Sequence, residues 1–414
     1  MDGAWTSTAT ARPVAGAMNA ALRGWMDQTG PVRAPSVAVL GAGIVGAAVA
    51  HAAAARGAEV TLVDAAAPGA GTSGTSLAWL NANQKPPRSY HDFSVRAIGA
   101  WRRLAADFGS SGWYVPTGNL AWAVDDGRRA DLAATIERLR DWGYPVTEPD
   151  ARAVAALEPR LRIPAGAHVA FFPGEAFIHP AGAVDALVDR ARDAGARVLI
   201  GTGPATFEVD GSRVAGMRLP DGRRVHADAY VCCAGAATPR VLEPLGVRVP
   251  LVPAHAPGST APGLVARVRT DTALLRRVVH APDLSVRPAT PTGLRMDAED
   301  VNALVDSTTG RADLERHART LCERARRLIT GVPDGAGDVE ARLCVRPLPV
   351  DGLPITGWLP AHDDVYLVAC HSGATLAALL AELTVDEILT RRARADLDPY
   401  RIDRFPATNT AADR

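Results

Sequence analysis

SVAVLGAGIVGAAVAHAAAARGAEVTLVD, running from Ser36 to Asp64, decides the fold. It opens on a short apolar run, Val37 to Leu40, of the kind carried by a strand buried on both faces. A glycine turn follows, then an alanine-rich helix that stops at Arg56-Gly57, then a second strand, Glu59 to Val63, ending in Asp64. A βαβ unit is about this long. Gly41, Gly43 and Gly46 form G-x-G-x-x-G between strand and helix. The first permits the tight turn, the second lets the backbone approach a pyrophosphate, and the third lets helix and strand pack closely. Ile44 and Val45 open the helix, whose N-terminus turns free N–H groups and a positive dipole end toward phosphates. Asp64 can accept from ribose hydroxyls and disfavours a 2′-phosphate there. The spacing predicts a dinucleotide site without choosing between a flavin and a nicotinamide.

Working outward, 414 residues suffice for two domains or for one large domain with an insertion. The formal net charge is zero, which argues against a nucleic-acid partner. Lys85 is the sole lysine, so Schiff-base chemistry has one candidate. Cys232, Cys233, Cys322, Cys344 and Cys370 make an odd set with no CxxC pair. That disfavours a disulfide framework, a zinc site or a dithiol centre, and the acidic residues show no metal-like spacing. No apolar run approaches the ~20 residues needed to span a bilayer. The first 35 residues, rich in Ala, Thr, Pro and Gly, read as a loose extension with a short helix near Ala15 to Trp25, and not as a signal peptide. The expectation is a soluble, cytoplasmic protein.

Farther along, helical patterns cover about Ser89 to Phe108, Asp125 to Trp142, Ala181 to Ala194 and Ala312 to Ile329. WYVPTGNLAWAV reads as a hairpin, and the stretch from Val247 to Asp306 as short strands of an antiparallel sheet. VYLVAC is a strand that leads into a last helix beginning at HSGATLAALL. Thr72, Ser73 and Ser76 sit in a small polar loop soon after Asp64, where hydroxyls can reach pyrophosphate or ribityl oxygens; the plain alternative is a surface turn. His371, Ser372, Gly373, Ala374 and Thr375 start the last helix, which can aim backbone donors at a flavin's N1 and C2 carbonyl. Pro204, Ala234 and Gly235 complete the expected cofactor contacts.

Four stretches together resemble the glycine oxidase and D-amino acid oxidase superfamily, which includes sarcosine oxidases and D-amino acid dehydrogenases. They are GAGIVG with Asp64, GTSGTSLAW, YVCCAGAATP, and CVRPLPVDGLPITG with HSGATLAALL. The resemblance implies FAD as cofactor and oxidation of a C–N bond beside a carboxylate. The implied fold is α/β, a Rossmann-type FAD-binding domain interleaved with an α+β substrate domain containing an antiparallel sheet. Residues 36–84, 169–240 and 340–404 would form the first, 85–168 and 241–339 the second, and 405–414 a tail. The T-x-x-x-x-A-G-D motif of disulfide reductases and hydroxylases is absent.

By that resemblance Arg346 is the carboxylate clamp, a role its planar fork of donors suits. His371 aligns with a pocket-lining position, where it would contact the amine or carboxylate or remove a proton; helix capping is the alternative. Arg287 either faces the pocket or lies exposed on its strand, the latter being favoured, and His179-Pro180 reads as a turn. Cys344 stands where sarcosine oxidases carry their flavin-linked cysteine, against the reading of a small buried thiol. Ala237 replaces a usual tryptophan. No lysine is available on a substrate-domain strand to activate oxygen, so the acceptor is oxygen or a carrier. Four alternatives stay open: a D-amino acid dehydrogenase with a non-oxygen acceptor, a flavoprotein acting on a modified tRNA base, a nicotinamide-dependent dehydrogenase, and a non-enzymatic flavin-bound scaffold.

Overall fold

A computed structural model describes residues 34–109, 112–211, 213–290, 292–334 and 339–406. The expected helix near Ala15 to Trp25 and the tail beyond Pro406 lie outside them. Among the described residues, six strands form one sheet in the order Ile355–Leu359, His362–Ala369, Ala229–Cys232, Ser36–Leu40, Glu59–Asp64, Arg197–Ile200. Pairing is parallel except at the Ile355–Leu359 edge. The Ser36–Leu40 strand is central, with Val37 opposite both Ala229 and Val60. Helix Ile44–Ala55 carries no charge in its sequence and buries most of its length. Its alanines let it pack between the helices Gly373–Thr390 and Pro180–Asp193.

A second sheet of seven strands runs Val339–Val345, Pro262–Val268, Leu294–Asp297, Leu284–Pro288, Val278–Ala281, Asn119–Ala123, His168–Phe172. Alternation gives it two unlike faces. Leu264, Ala266, Val286 and Met296 pack under helix Arg311–Leu328, which contributes Ala318, Leu321, Cys322 and Ala325. The opposite face carries Ser285 and Arg287 paired across strands with Asp297 and Arg295, and it is turned toward the first half of the chain. Arg287 donates to Leu77 O, and Arg295 donates to Gly74 O at 3.0 Å and Ser76 O at 2.8 Å.

Three sequence expectations change. Tyr114–Val115 and Asn119–Ala123 are not a hairpin: the first pairs with Ala176–Ile178, the second with His168–Phe172 and Val278–Ala281. The left-handed Gly118, φ +80°, redirects the chain between the two sheets. His168–Phe172 and Val339–Val345, expected mainly within the nucleotide-binding ranges, belong to the seven-stranded sheet. Arg287 is 1% exposed, so the exposed-strand alternative fails. Three short polar strands, Thr206–Asp210, Arg213–Arg218 and Arg224–Val225, form a small sheet the sequence pattern did not single out. Among the described residues no helix is long and apolar enough to cross a membrane.

Candidate cofactor and active site

A cavity of about 550 Å³ opens along the carboxyl ends of the parallel strands, where open α/β sheets place their ligands. It runs between two helix starts, Ile44 and Gly373. Gly41, Gly43, Ile44, Val45 and Asp64 line it at the glycine turn. Thr72, Ser73, Ser76, Pro204, Ala234, Gly235, His371, Gly373 and Ala374 line it as well, and the two helix starts are neighbours: a Cβ on Gly373 would lie 3.4 Å from Val45 Cγ2. Gly46 and Thr375 are not on the cavity. A Cβ on Gly46 would lie 1.8 Å from Gly41 O, so this glycine serves helix packing under the turn. Thr375 turns its hydroxyl away to accept from Asn81 N and donate to Trp79 O.

The glycine turn is shaped for close approach. Gly41 sits at φ +105°, and a Cβ there would lie 2.4 Å from Cys233 O. Asp64 steadies the turn: Oδ2 accepts from Ala42 N at 2.6 Å and Oδ1 from Ala66 N at 2.8 Å. Each oxygen keeps a lone pair for a ribose hydroxyl. Helix Ile44–Ala55 has no capping side chain of its own; instead Ile44 N donates to Ser73 Oγ at 3.0 Å. That leaves the Ser73 proton for a phosphate oxygen. The other two hydroxyls also bond the backbone, and Ser76 keeps its proton as Ser73 does. Ser76 Oγ accepts from Ala78 N, and Thr72 Oγ1 donates to Val345 O, which pins the strand ending before Arg346 to the hydroxyl loop. Two adjacent helix starts facing one glycine-walled cavity fit a cofactor that carries a pyrophosphate and an electron-accepting ring.

Arg346 is not on the cavity wall but lies beside it, next to Pro347 and His371. Its Nε donates to Ala261 O and its Nη2 to Thr260 O and Pro262 O. Among the described residues Nη1 makes no hydrogen bond, and no carboxylate pairs with this guanidinium. His371 opens onto the cavity and is exposed there. Burial, then the charges of Lys85 and Arg346, push its imidazole down to about 4. At neutral pH it is therefore uncharged. Cys344 is buried on the cavity wall, its thiol pushed up by burial against an opposing pull from Arg346. Ala237 lines the cavity too. His179 precedes helix Pro180–Asp193 and touches Arg287 Nη1 at 3.4 Å.

Sequence reasoning missed two residues that organise this region. Glu175 is buried, and its carboxylate accepts from Ala82 N, Asn83 N, Trp79 Nε1 and Tyr144 OH. Lys85, noted only as the sole lysine, donates from Nζ to Ser372 Oγ at 2.7 Å. Neither is signalled by local spacing.

The sequence matches the family model described as FAD dependent oxidoreductase over residues 36–387. A curated relative, the D-amino acid dehydrogenase of Cereibacter sphaeroides, is 29% identical over 301 residues, covering 69% of this chain and 64% of that protein. The chain thus spans less than two thirds of that relative's length. Among solved structures, glycine oxidase from Geobacillus kaustophilus superposes with a TM-score of 0.75 at 23% identity, over 90% of this chain and 99% of the other. Iminodiacetate oxidase from Chelativorans sp. BNC1 gives 0.73 at 20% identity, over 88% and 98%. These two establish the fold. With a model match over most of its length and a cavity built for the cofactor, the chain belongs to the FAD dependent oxidoreductase family.

Proposed function

We propose that this protein oxidises the C–N bond of an amino acid or N-substituted glycine. The observation that carries this reading is Arg346. Three backbone carbonyls hold Nε and Nη2; among the described residues Nη1 makes no hydrogen bond and no ion pair, and buried Asp297 acts on the guanidinium only through its charge. A guanidinium so held is ready for a substrate carboxylate and brings the α-carbon to a fixed place. Bound FAD supplies the two-electron oxidant that accepts a hydride from that carbon. As the C–H electrons leave, the nitrogen lone pair forms the C=N bond, and water then splits the imine into a carbonyl compound and an amine or ammonia. The nitrogen must enter unprotonated. His371, neutral at physiological pH, is a hydrogen-bond partner for it and too weakly basic to keep its proton.

Relatives named for D-amino acids, glycine and iminodiacetate support the substrate class. Five free, buried cysteines support a reducing, cytoplasmic setting. The test is anaerobic titration of the FAD-loaded protein with glycine, N-alkylglycines and D-amino acids, followed by the flavin absorbance. Bleaching by one of these is expected, and Arg346→Ala should raise the concentration needed by about a hundredfold or more. Unchanged turnover and affinity in that variant would remove the clamp. Reoxidation by air or only by a dye then separates an oxidase from a dehydrogenase.

A further inference from the structure

Lys85 places its ammonium at the N-terminal end of helix Gly373–Thr390, on Ser372 Oγ. The peptide dipoles already present a positive end there, so a cation is opposed by the helix. A serine at a helix start ordinarily turns its hydroxyl to the helix's own N–H groups. Ser372 makes no such bond. Its neighbours His371, Gly373 and Ala374 line the cavity. The first N–H groups of the helix therefore face the cavity without a cap from Ser372, and an ammonium stands behind them.

The groups around Lys85 come from every packed element. Tyr90 lies under the ammonium at 5.8 Å from helix Arg88–Asp107 and also contacts Ser372. Cys370 and His371 come from the strand-to-helix junction, and Glu175 from beyond the His168–Phe172 strand. Glu175 accepts its four bonds from other donors. Among the described residues no acid forms an ion pair with Lys85, Arg346 or His371. Two cations, Lys85 and Arg346, near one helix start without a bonded carboxylate favour an anion in the cavity. Burial pushes the Lys85 ammonium down to about 8, with Glu175 and Cys370 acting against the shift.

We propose that Lys85 is a positioning residue for the cofactor: it draws the Ser372 hydroxyl off the last helix, keeps that helix start for the flavin's pyrimidine end, and adds positive charge that favours the reduced cofactor. The inference rests on FAD in this cavity and not on the identity of the substrate.

The midpoint potential of bound FAD, measured by dithionite reduction against indicator dyes, tests it in wild type, Lys85→Met, Lys85→Arg and Ser372→Ala. Titrations run from below to well above pH 8, where Lys85 gives up its proton. Lys85→Met is expected to move the potential negative, by about a tenfold loss of preference for the reduced cofactor. Flavin reduction takes up a proton, so every variant's potential falls with pH; in wild type the fall steepens through about pH 8 as Lys85 loses its charge. Lys85→Arg should keep the preference and lose the steepening, and Ser372→Ala should fall between wild type and Lys85→Met. A Lys85→Met protein with the wild-type potential and pH course overturns the proposal, as does a Lys85→Arg protein whose potential falls through about pH 8 as steeply as wild type. Lys85 also offsets the buried Glu175 carboxylate; a drop in melting temperature with the potential unmoved would make its role structural and overturn the proposal as well. Should Lys85→Met fail to take up FAD, the Arg and Ser372→Ala variants decide between the same outcomes.

Discussion

Gly46 and Gly57 stand at the two ends of one helix, and the space around each sets opposite expectations. A Cβ on Gly46 would meet the backbone at 1.8 Å, and neither the Gly41 carbonyl nor the helix can move without losing the turn. Gly46→Ala should cost about 3 kcal/mol or more and abolish FAD retention. Gly57 has φ +83° but nothing within 4 Å of the added atom, so Gly57→Ala should cost only about 1 kcal/mol and keep full cofactor occupancy. Melting temperature with the FAD-to-protein absorbance ratio measures both. The same scale shows how far sequence reaches. The three motif glycines are legible because each task is local to a turn. Lys85 is not, because it acts on Ser372 across 287 positions of chain. Thr72 and Ser76 were legible as a hydroxyl loop, but the loss of the Thr72 proton to Val345 O depends on a strand far away in sequence, whereas Ser76 bonds only two residues on.

At the scale of elements, the last helix is fixed at both ends by polar contacts that differ in kind. Its start is held open toward the cavity; its far end is locked. Buried Glu387 accepts from Tyr366 OH at 2.6 Å, Arg401 Nη1 at 2.8 Å and Arg394 N at 2.5 Å, tying the segment around Ala395–Tyr400 onto the helix. Burial pushes the Glu387 carboxyl up, but bonds from Arg401, Tyr366 and Arg394 outweigh it and leave the group below its usual range. A depressed acid contributes stability above its unfolded pKa and loses it as pH falls through the folded value. Glu387→Gln should therefore cost about 3 kcal/mol at neutral pH, and progressively less in acid, by urea denaturation at a series of pH values. Sequence periodicity marked this helix and most others correctly, since each buries an apolar stripe. It misjoined Tyr114–Val115 to Asn119–Ala123 because alternation announces strands and says nothing of partners. It passed over Thr206–Val225 because those strands are short and largely polar.

Across the whole molecule, the polar face of the seven-stranded sheet meets the cofactor-binding half through charges and imidazoles with few neutralising partners. Arg287 and Arg295 brace the carbonyls of the hydroxyl loop, and Trp79 from that side stacks on His280 with ring centroids 4.0 Å apart. Among the described residues His280 Nε2 is buried without a partner, and burial pushes this imidazole down to about 4. His179 is also held at about 4, by burial and then by Arg287 and Arg295. The unfolded chain binds protons at these rings below about pH 6.5 while the folded one does not. The unfolded state thus holds more protons in that window, and stability rises with pH from about 4 to about 6.5. Two buried acids work against this. Burial raises Glu175 to about 7 and Asp297 to about 6, so the folded state keeps protons the unfolded one has released. Net pH dependence mixes both signs, and only a difference between variants isolates one ring. His280→Gln should match or slightly trail wild type near neutrality, then gain on it by on the order of 1–3 kcal/mol as pH approaches 4. Urea midpoints at three pH values across that window measure it, with FAD fluorescence reporting whether the join between the two halves opens first. Parallel curves for the two proteins would mean that His280 titrates normally and that acid loosens this join through His179 and the buried carboxylates.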